Sequence, residues 1–336
     1  MSELSDVSAE EQVADLVAEA KAQEAAVVAQ PQEPRPARRL DIIGRRNLFF
    51  AISLLVIIPG IISMWHNHFL LGIDFAGGTE LTVSFANHPT LGQVQGAVNA
   101  QPITGSVIQT GSGYIIRYPP LTATQLTNVQ ADLANRLGPT NVQQILSVGG
   151  TIAGETIALS LIAVAVASVA ILLLLAIRFR NVPGGWRAGF QFGGSALAAL
   201  LHDVFVLTGL FSIFGTVFHW QVGEINAFFV TAVLTVVGFS VHDTIVVFDR
   251  IRENLRVSQR LSFEQVVNLS IMQTAARSII TSFTVVLVLA AIFISGGPTL
   301  QGLALALLIG IVSGTYSSIF NAAPLLVVWR RLQPLR

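Results

Sequence analysis

Cysteine is absent from all 336 residues, which removes disulfides, thiolate metal sites and thiol catalysis together. Lysine occurs once, at Lys21. A phosphate loop ending in Gly-Lys-Ser/Thr is therefore missing, and the P-loop route to ATP hydrolysis is closed. There is no His-Glu-x-x-His, and the six histidines are scattered, so no helix presents the paired imidazoles of a zinc hydrolase. Gly111-Ser112-Gly113 lacks the third glycine and the helix start of a dinucleotide fingerprint and reads as a turn. Charge is scarce as well. Only 11% of residues are Asp, Glu, Lys or Arg, against about 25% in an ordinary soluble domain. The expectation is a protein with no cofactor, no metal and no nucleic-acid partner, and not an enzyme. If it performs work, its sequence offers no nucleotide site to drive it.

What fills the chain instead is six apolar stretches, each about long enough to cross a bilayer. The expected spans are Leu48–Trp65, Ile157–Ile177, Phe190–Phe214, Ile225–Phe248, Ile279–Ile294 and Leu303–Trp329. The fifth is short, but Ser262-Phe263-Glu264-Gln265 has the pattern of a capping box, and a surface helix starting there is expected to continue into it. Trp65, Trp186, Trp220 and Trp329 all sit at span ends, where interfacial tryptophans belong. Orientation follows from arginine. Arg38, Arg39, Arg45 and Arg46 precede span one, Arg178, Arg180 and Arg187 lie between spans two and three, Arg250 to Arg277 between four and five, and Arg330 and Arg331 after six. The short loops near 215–223 and 295–301 carry no Lys or Arg. Positive charge marks the cytoplasmic face, so both termini are expected inside and segment 66–153 outside.

Residues 1–40 form an acidic tail rich in Ala, Glu and Gln that lacks large apolar residues and reads as disordered. Segment 66–153 reads as a small α+β domain. A strand at Thr79–Phe85, a helix at Thr90–Ala100, a hairpin of Val107–Thr110 and Tyr114–Tyr118, a helix at Thr122–Leu137 and a strand at Val142–Val148 follow in order. That β-α-β-β-α-β order is the ferredoxin-like pattern. Its two ends feed spans one and two. Residues 249–277 read as a cytoplasmic loop, whose arginines suit anionic headgroups of the phospholipid bilayer, and 330–336 as a cytoplasmic C-terminus.

Ionisable residues inside spans are the candidates for chemistry, because each costs roughly 3 kcal/mol on insertion scales. Asp203 lies near the middle of span three, with Ala196 and Ala199 on its face; it is either a structural carboxylate bonded to a neighbouring Ser or Thr, or a functional one. Asp243 stands five residues before the end of span four, about 7 Å inside it. Thr231, Thr235, Gly238, His242 and Asp249 form a stripe about 100° from Asp243, so His242 and Asp243 address different neighbours. Asp243 reads either as part of a packing ion pair or as a proton carrier. Arg277 opens span five, where it either snorkels to the interface or swings toward Asp243 and, by leaving, lets the acid take a proton. Gly310, Gly314, Ser317 and Asn321 line one face of span six and read as a packing surface without chemistry.

Several segments together resemble a known family. Gly72-Ile73-Asp74-Phe75-Ala76-Gly77-Gly78, His202-Asp203-Val204, the run from Gly238 to Asn254, Arg277-Ser278-Ile279-Ile280-Thr281-Ser282 and Leu307 to Ile319 resemble, in order, motifs of the SecF family. SecF is the smaller membrane subunit of the SecDF complex of bacterial protein export and a relative of the RND transporters. The resemblance implies six spans forming one RND-like half, a SecD partner supplying the other, and a proton-motive role in late translocation of preprotein through and release from the SecYEG translocon at the bacterial inner membrane, with the small subunit YajC as a further partner. It implies that Asp243 and Arg277 are the charged pair tied to proton passage, and that Gly72, Asp74, Gly77 and Gly78 belong to the motif opening the outer domain. The family commonly carries Asn at the position of His242, and a histidine there, able to titrate near neutral pH, is with Asp243, Arg277 and Asp203 a candidate for proton coupling. Two other readings remain: half of an RND-type small-solute exporter, for which one six-span half and an outer domain of about 90 residues are too little, and a purely structural stabiliser of the translocon.

Overall fold

The computed structural model describes residues 41–111, 113–258 and 260–334; the tail read as disordered lies outside them. Among the described residues, six helices are long and apolar enough to cross a membrane: Arg46–His66, Gly150–Arg178, Gly185–Val217, Ala227–Val257, Phe263–Ser295 and Leu300–Leu332. These are spans one to six. Span four starts two residues later than the sequence suggested because Asn226 caps it, its side chain accepting the Phe229 N–H at 3.1 Å. Span five starts at the expected capping box, where Ser262 and Gln265 satisfy each other's backbone N–H groups. Segment 249–277 is thereby corrected from loop to helix over most of its length. Span four runs on to Val257 and span five begins at Phe263, since no breaker interrupts either polar extension.

Burial sorts the spans. The apolar windows of spans three, four and six are 44, 50 and 50% buried, those of one, two and five 17, 0 and 17%. Three, four and six therefore form the interior and hold the polar groups. Small residues bring them together. A Cβ on Gly310 would collide with Val236, and one on Gly314 would stand 3.1 Å from Ser240 Cβ, so span six lies directly on span four. Gly60 and Gly209 do the same for spans one and three, where a Cβ on Gly60 would come within 2.8 Å of the opposing Cα. Span six is not a uniform α-helix. Pro324 has no N–H to offer the carbonyl of Phe320, and a π-helical turn, Ser318–Ala322, precedes it. At the arginine-bearing end, Phe179 stacks on Phe192 at 4.8 Å and Phe248 meets Phe192 edge-on at 5.0 Å, closing the core.

Between spans one and two stand a one-turn helix, α1 (Ile73–Ala76), and the expected domain: β1 (Gly78–Phe85), α2 (Leu91–Asn99), β2 (Ser106–Thr110), β3 (Gly113–Tyr118), α3 (Ala123–Leu137) and β4 (Thr140–Val148). The sheet order is β2-β3-β1-β4 and every neighbouring pair is antiparallel, as the ferredoxin-like order requires. Alternation along β1 sends Leu81, Val83 and Phe85 into a core shared with Val94, Val98, Val129 and Leu133 of the two longer helices. Glu80 and Arg117, opposite each other across β1 and β3, share the other face.

Candidate functional site

The deepest polar cluster centres on Asp203, which is 1% exposed. Three serine hydroxyls from two other spans donate to its carboxylate. Ser240 of span four and Ser317 of span six reach Oδ2 at 2.7 and 2.6 Å, and Ser313 of span six reaches Oδ1 at 2.7 Å. His202 Nδ1 lies 3.1 Å from Oδ1 on the fourth side. Both carboxylate oxygens are thus engaged as acceptors. Of the two sequence readings, the hydrogen-bonded carboxylate describes this geometry. Ser317, placed by sequence on a packing face without chemistry, is corrected here to a ligand of the cage. Ser240 and Ser313 were missed altogether; the available signal was their helical spacing, three residues before Asp243 and four before Ser317.

One turn along span four, Asp243 is 3% exposed. It faces Ser278 and Ser282 of span five, and its Oδ2 is buried without a hydrogen-bond partner among the described residues. His242, the adjacent residue, is exposed on the outside of the bundle, together with Thr231, Thr235 and Gly238. The two residues do address different neighbours. Arg277 is not paired with Asp243. It lines a cavity of about 740 Å³ at the end of spans four and five, with Asp249, Arg252 and Arg256, and no ion pair joins it to a described carboxylate. Asp249 of the stripe instead accepts from Arg178 at 2.9 Å. In this arrangement the structure separates the two members of the charged pair that sequence brought together.

The far end of span four is gripped by the sheet domain. Asp74 Oδ2 accepts the Ala227 N–H at 2.9 Å, capping the first turn of the span. Gly72 N–H donates to Ile225 O at 2.9 Å and Ile225 N–H returns a bond to Leu70 O at 2.8 Å, while a Cβ on Gly72 would strike the Glu224 carboxylate. Gly77 and Gly78 then turn the chain into β1 at φ +70° and +139°, values that L side chains rarely adopt. A third contact was not foreseen. Arg117 of β3 bridges Glu80 at 2.7 Å and Glu224 at 2.6 Å, with Glu224 also held by Gln221 at 3.0 Å. Burial pushes the Glu224 carboxyl above the usual range, and the Arg117 guanidinium pulls it back only in part. Among the described residues no group of three or more His, Cys, Asp or Glu could hold a metal ion.

The model described as "Protein export membrane protein SecD/SecF, C-terminal" matches residues 129–332, and the one described as "SecD/SecF GG Motif" matches residues 62–87, which include Gly72, Asp74, Gly77 and Gly78. The chain belongs to the SecD/SecF family. Among its relatives, the protein translocase subunit SecF of Thermobaculum terrenum is 42% identical over 88% of this chain and 96% of its own length. The SecF subunit of Haemophilus influenzae is 35% identical over 82% of each. A crystal structure of SecDF, a translocon-associated membrane protein from Thermus thermophilus, superposes with a TM-score of 0.77 at 30% identity over 88% of this chain. This chain spans 39% of the length of that SecDF chain. In the SecD/SecF setting, the grip of the glycine motif on span four is the physical content of the motif. It joins the domain outside the bundle to the helix that carries Asp243.

Proposed function

We propose that this chain is the SecF-type subunit of a bacterial protein-export complex, pairing with SecD and using the proton motive force in late preprotein translocation at SecYEG, with no covalent turnover of its own. The observation that carries the reading is span four itself. It holds a buried carboxylate with one unsatisfied oxygen at its middle; Asp74 caps its first turn, and Arg117 and Gly72 hold Glu224 and Ile225 just before it. Intramembrane carboxylates that face a bundle rather than lipid mark ion paths. Protonation of Asp243 removes a charge that Ser278 and Ser282 only partly compensate, so the packing of spans four and five depends on it. The rigid helix carries a shift to Asp74 and Arg117. Arg277, with no ion pair among the described residues, is the cation whose approach would return Asp243 to the ionised state.

The exposed stripe Thr231, Thr235, Gly238 and His242, with Arg277, Thr281 and Thr284 of span five beside it, is polar in an otherwise apolar surface. It suits a second six-span half better than lipid. The free edge of β4, uncharged and without proline from Thr140 to Val148, suits strand pairing with a partner's sheet. The arginine distribution supports cytoplasmic termini and an outer sheet domain, in the inner membrane. YajC fits as an additional partner only through the family resemblance.

The test is export of a model preprotein into vesicles containing this chain and SecD, with and without a proton gradient. Asp243→Asn should assemble at wild-type levels and lose gradient-dependent stimulation. Equal stimulation of the variant would reject the role of Asp243. A structural reading is favoured at Asp203 alone, whose carboxylate already has four partners.

A further inference from the structure

A groove of about 450 Å³ opens between spans one, three and six, away from the polar stripe of span four. Its walls are Ile52 and Val56 of span one, Val206 and Leu210 of span three, and Leu308 and Val312 of span six. Four polar side chains also reach it. Three of them are committed elsewhere: Ser53 donates to Asn321 at 3.0 Å, Ser313 to Asp203 at 2.7 Å, and Tyr316 to the Phe49 carbonyl at 2.8 Å. The fourth is His202. Its side chain is 10% exposed, its Nδ1 faces Asp203, and its Nε2, on the opposite side of the ring, is buried with no partner among the described residues. An unsatisfied polar nitrogen walled by apolar side chains is unfavourable when the groove is empty or filled by hydrocarbon.

We propose that this groove is a binding site for a bilayer-borne amphiphile that is mostly hydrocarbon and carries one hydroxyl group. The volume lies in the range of about 300–1,000 Å³ that holds small ligands. The hydroxyl is specified by the unsatisfied Nε2. That nitrogen donates or accepts according to the tautomer, and a hydroxyl, which does both, satisfies it in either. An alkane does neither. Depth excludes a phospholipid headgroup. His202 is 17 residues from the start of the 33-residue span Gly185–Val217, hence near mid-bilayer, about 15 Å from either interface of a hydrocarbon layer about 30 Å thick. Entry is lateral: Ile52, Val56 and Val312 at the rim are 41, 40 and 57% exposed on the outer surface of the bundle. A bound hydroxyl fixes the imidazole orientation and with it the Nδ1 contact with the Asp203 cage.

The test is photolabelling of the full chain, reconstituted with SecD in phospholipid vesicles, by a diazirine-bearing hexadecanol, with labelled peptides mapped by mass spectrometry. Labelling is expected around Ile52–Val56 and Leu308–Val312, competed by unlabelled hexadecanol and not by hexadecane. His202→Phe should reduce alcohol labelling to the level of a diazirine alkane, a loss of about tenfold for one hydrogen bond. Val56→Trp, which fills the rim without touching Asp203, should abolish labelling there while co-purification with SecD is retained. If His202→Phe fails to assemble, the competition series and Val56→Trp still decide. Equal labelling by alcohol and alkane, labelling spread evenly over spans two and five, or equal competition by hexadecane would overturn the proposal.

Discussion

Asp203 and Asp243 are carboxylates of one bundle with opposite surroundings, and they should answer differently to the same substitution. Asp203 accepts from Ser240, Ser313 and Ser317. An asparagine there turns one acceptor oxygen into a donor that meets donors, so Asp203→Asn should destabilise the bundle by several kcal/mol, while Ser313→Ala, which removes one bond, should cost about 1 kcal/mol. Thermal unfolding of the purified complex in detergent checks both. Asp243→Asn should change stability little. Glu224 supplies a pH dependence. Its folded value is raised by burial, so on acidification the folded chain takes up this proton first. Because the burial penalty outweighs the pairing with Arg117, the folded chain binds this proton more tightly than the opened one, and docking is strengthened as pH falls through the raised value. In hydrogen exchange, β3 and the start of span four should therefore become better protected as the pH drops from neutral toward the ordinary glutamate range. Glu224→Gln, which carries no charge to desolvate, should show no such pH dependence.

At the scale of elements, most of what the helices and strands do was legible in the sequence. Six apolar runs, a capping box at Ser262 and a strand-helix alternation between spans one and two gave the elements and their order, because hydropathy and capping are local. What was not legible depends on which helix face meets which. Ser240, Ser313 and Ser317 lie on two spans and converge only once span six is laid on span four, and the π turn at Ser318–Ala322, just beyond Ser317, leaves no mark in periodicity. Arg117 and Glu224 are 107 residues apart in number and are brought together by the docking of the sheet domain. Arg277 shows the reverse: its place at the start of span five was readable, its distance from Asp243 was not. Gly310 is the element-scale hinge of this packing. Gly310→Leu should drive span six away from Val236 of span four, open the Asp203 cage and prevent accumulation of the folded chain, seen as loss of the detergent-stable complex. Asp74→Ala removes a cap from span four and should cost about 1 kcal/mol, less than Gly310→Leu, because Asn226 still caps the same helix.

For the whole molecule, the arrangement is a domain held at one end of a membrane helix and an ionisable group held at the middle of the same helix. The chain enters the sheet domain from span one and leaves it into span two, and Ser63 and Ser212 at 2.8 Å tie span one to span three just below it. Domain, spans one and three, and the head of span four therefore share contacts, whereas Asp243 sits among fewer bonds. A proton at Asp243 that moves the domain implies the converse, since coupling between two equilibria is reciprocal. Holding the domain still must alter how readily Asp243 changes its charge. The grip of Asp74 on span four and of Arg117 on Glu224 just before it then has a pharmacological meaning within the proposed function. On that reading, a water-soluble protein or peptide that clamped the small sheet would reach an ion path it never enters, without having to cross a lipid barrier.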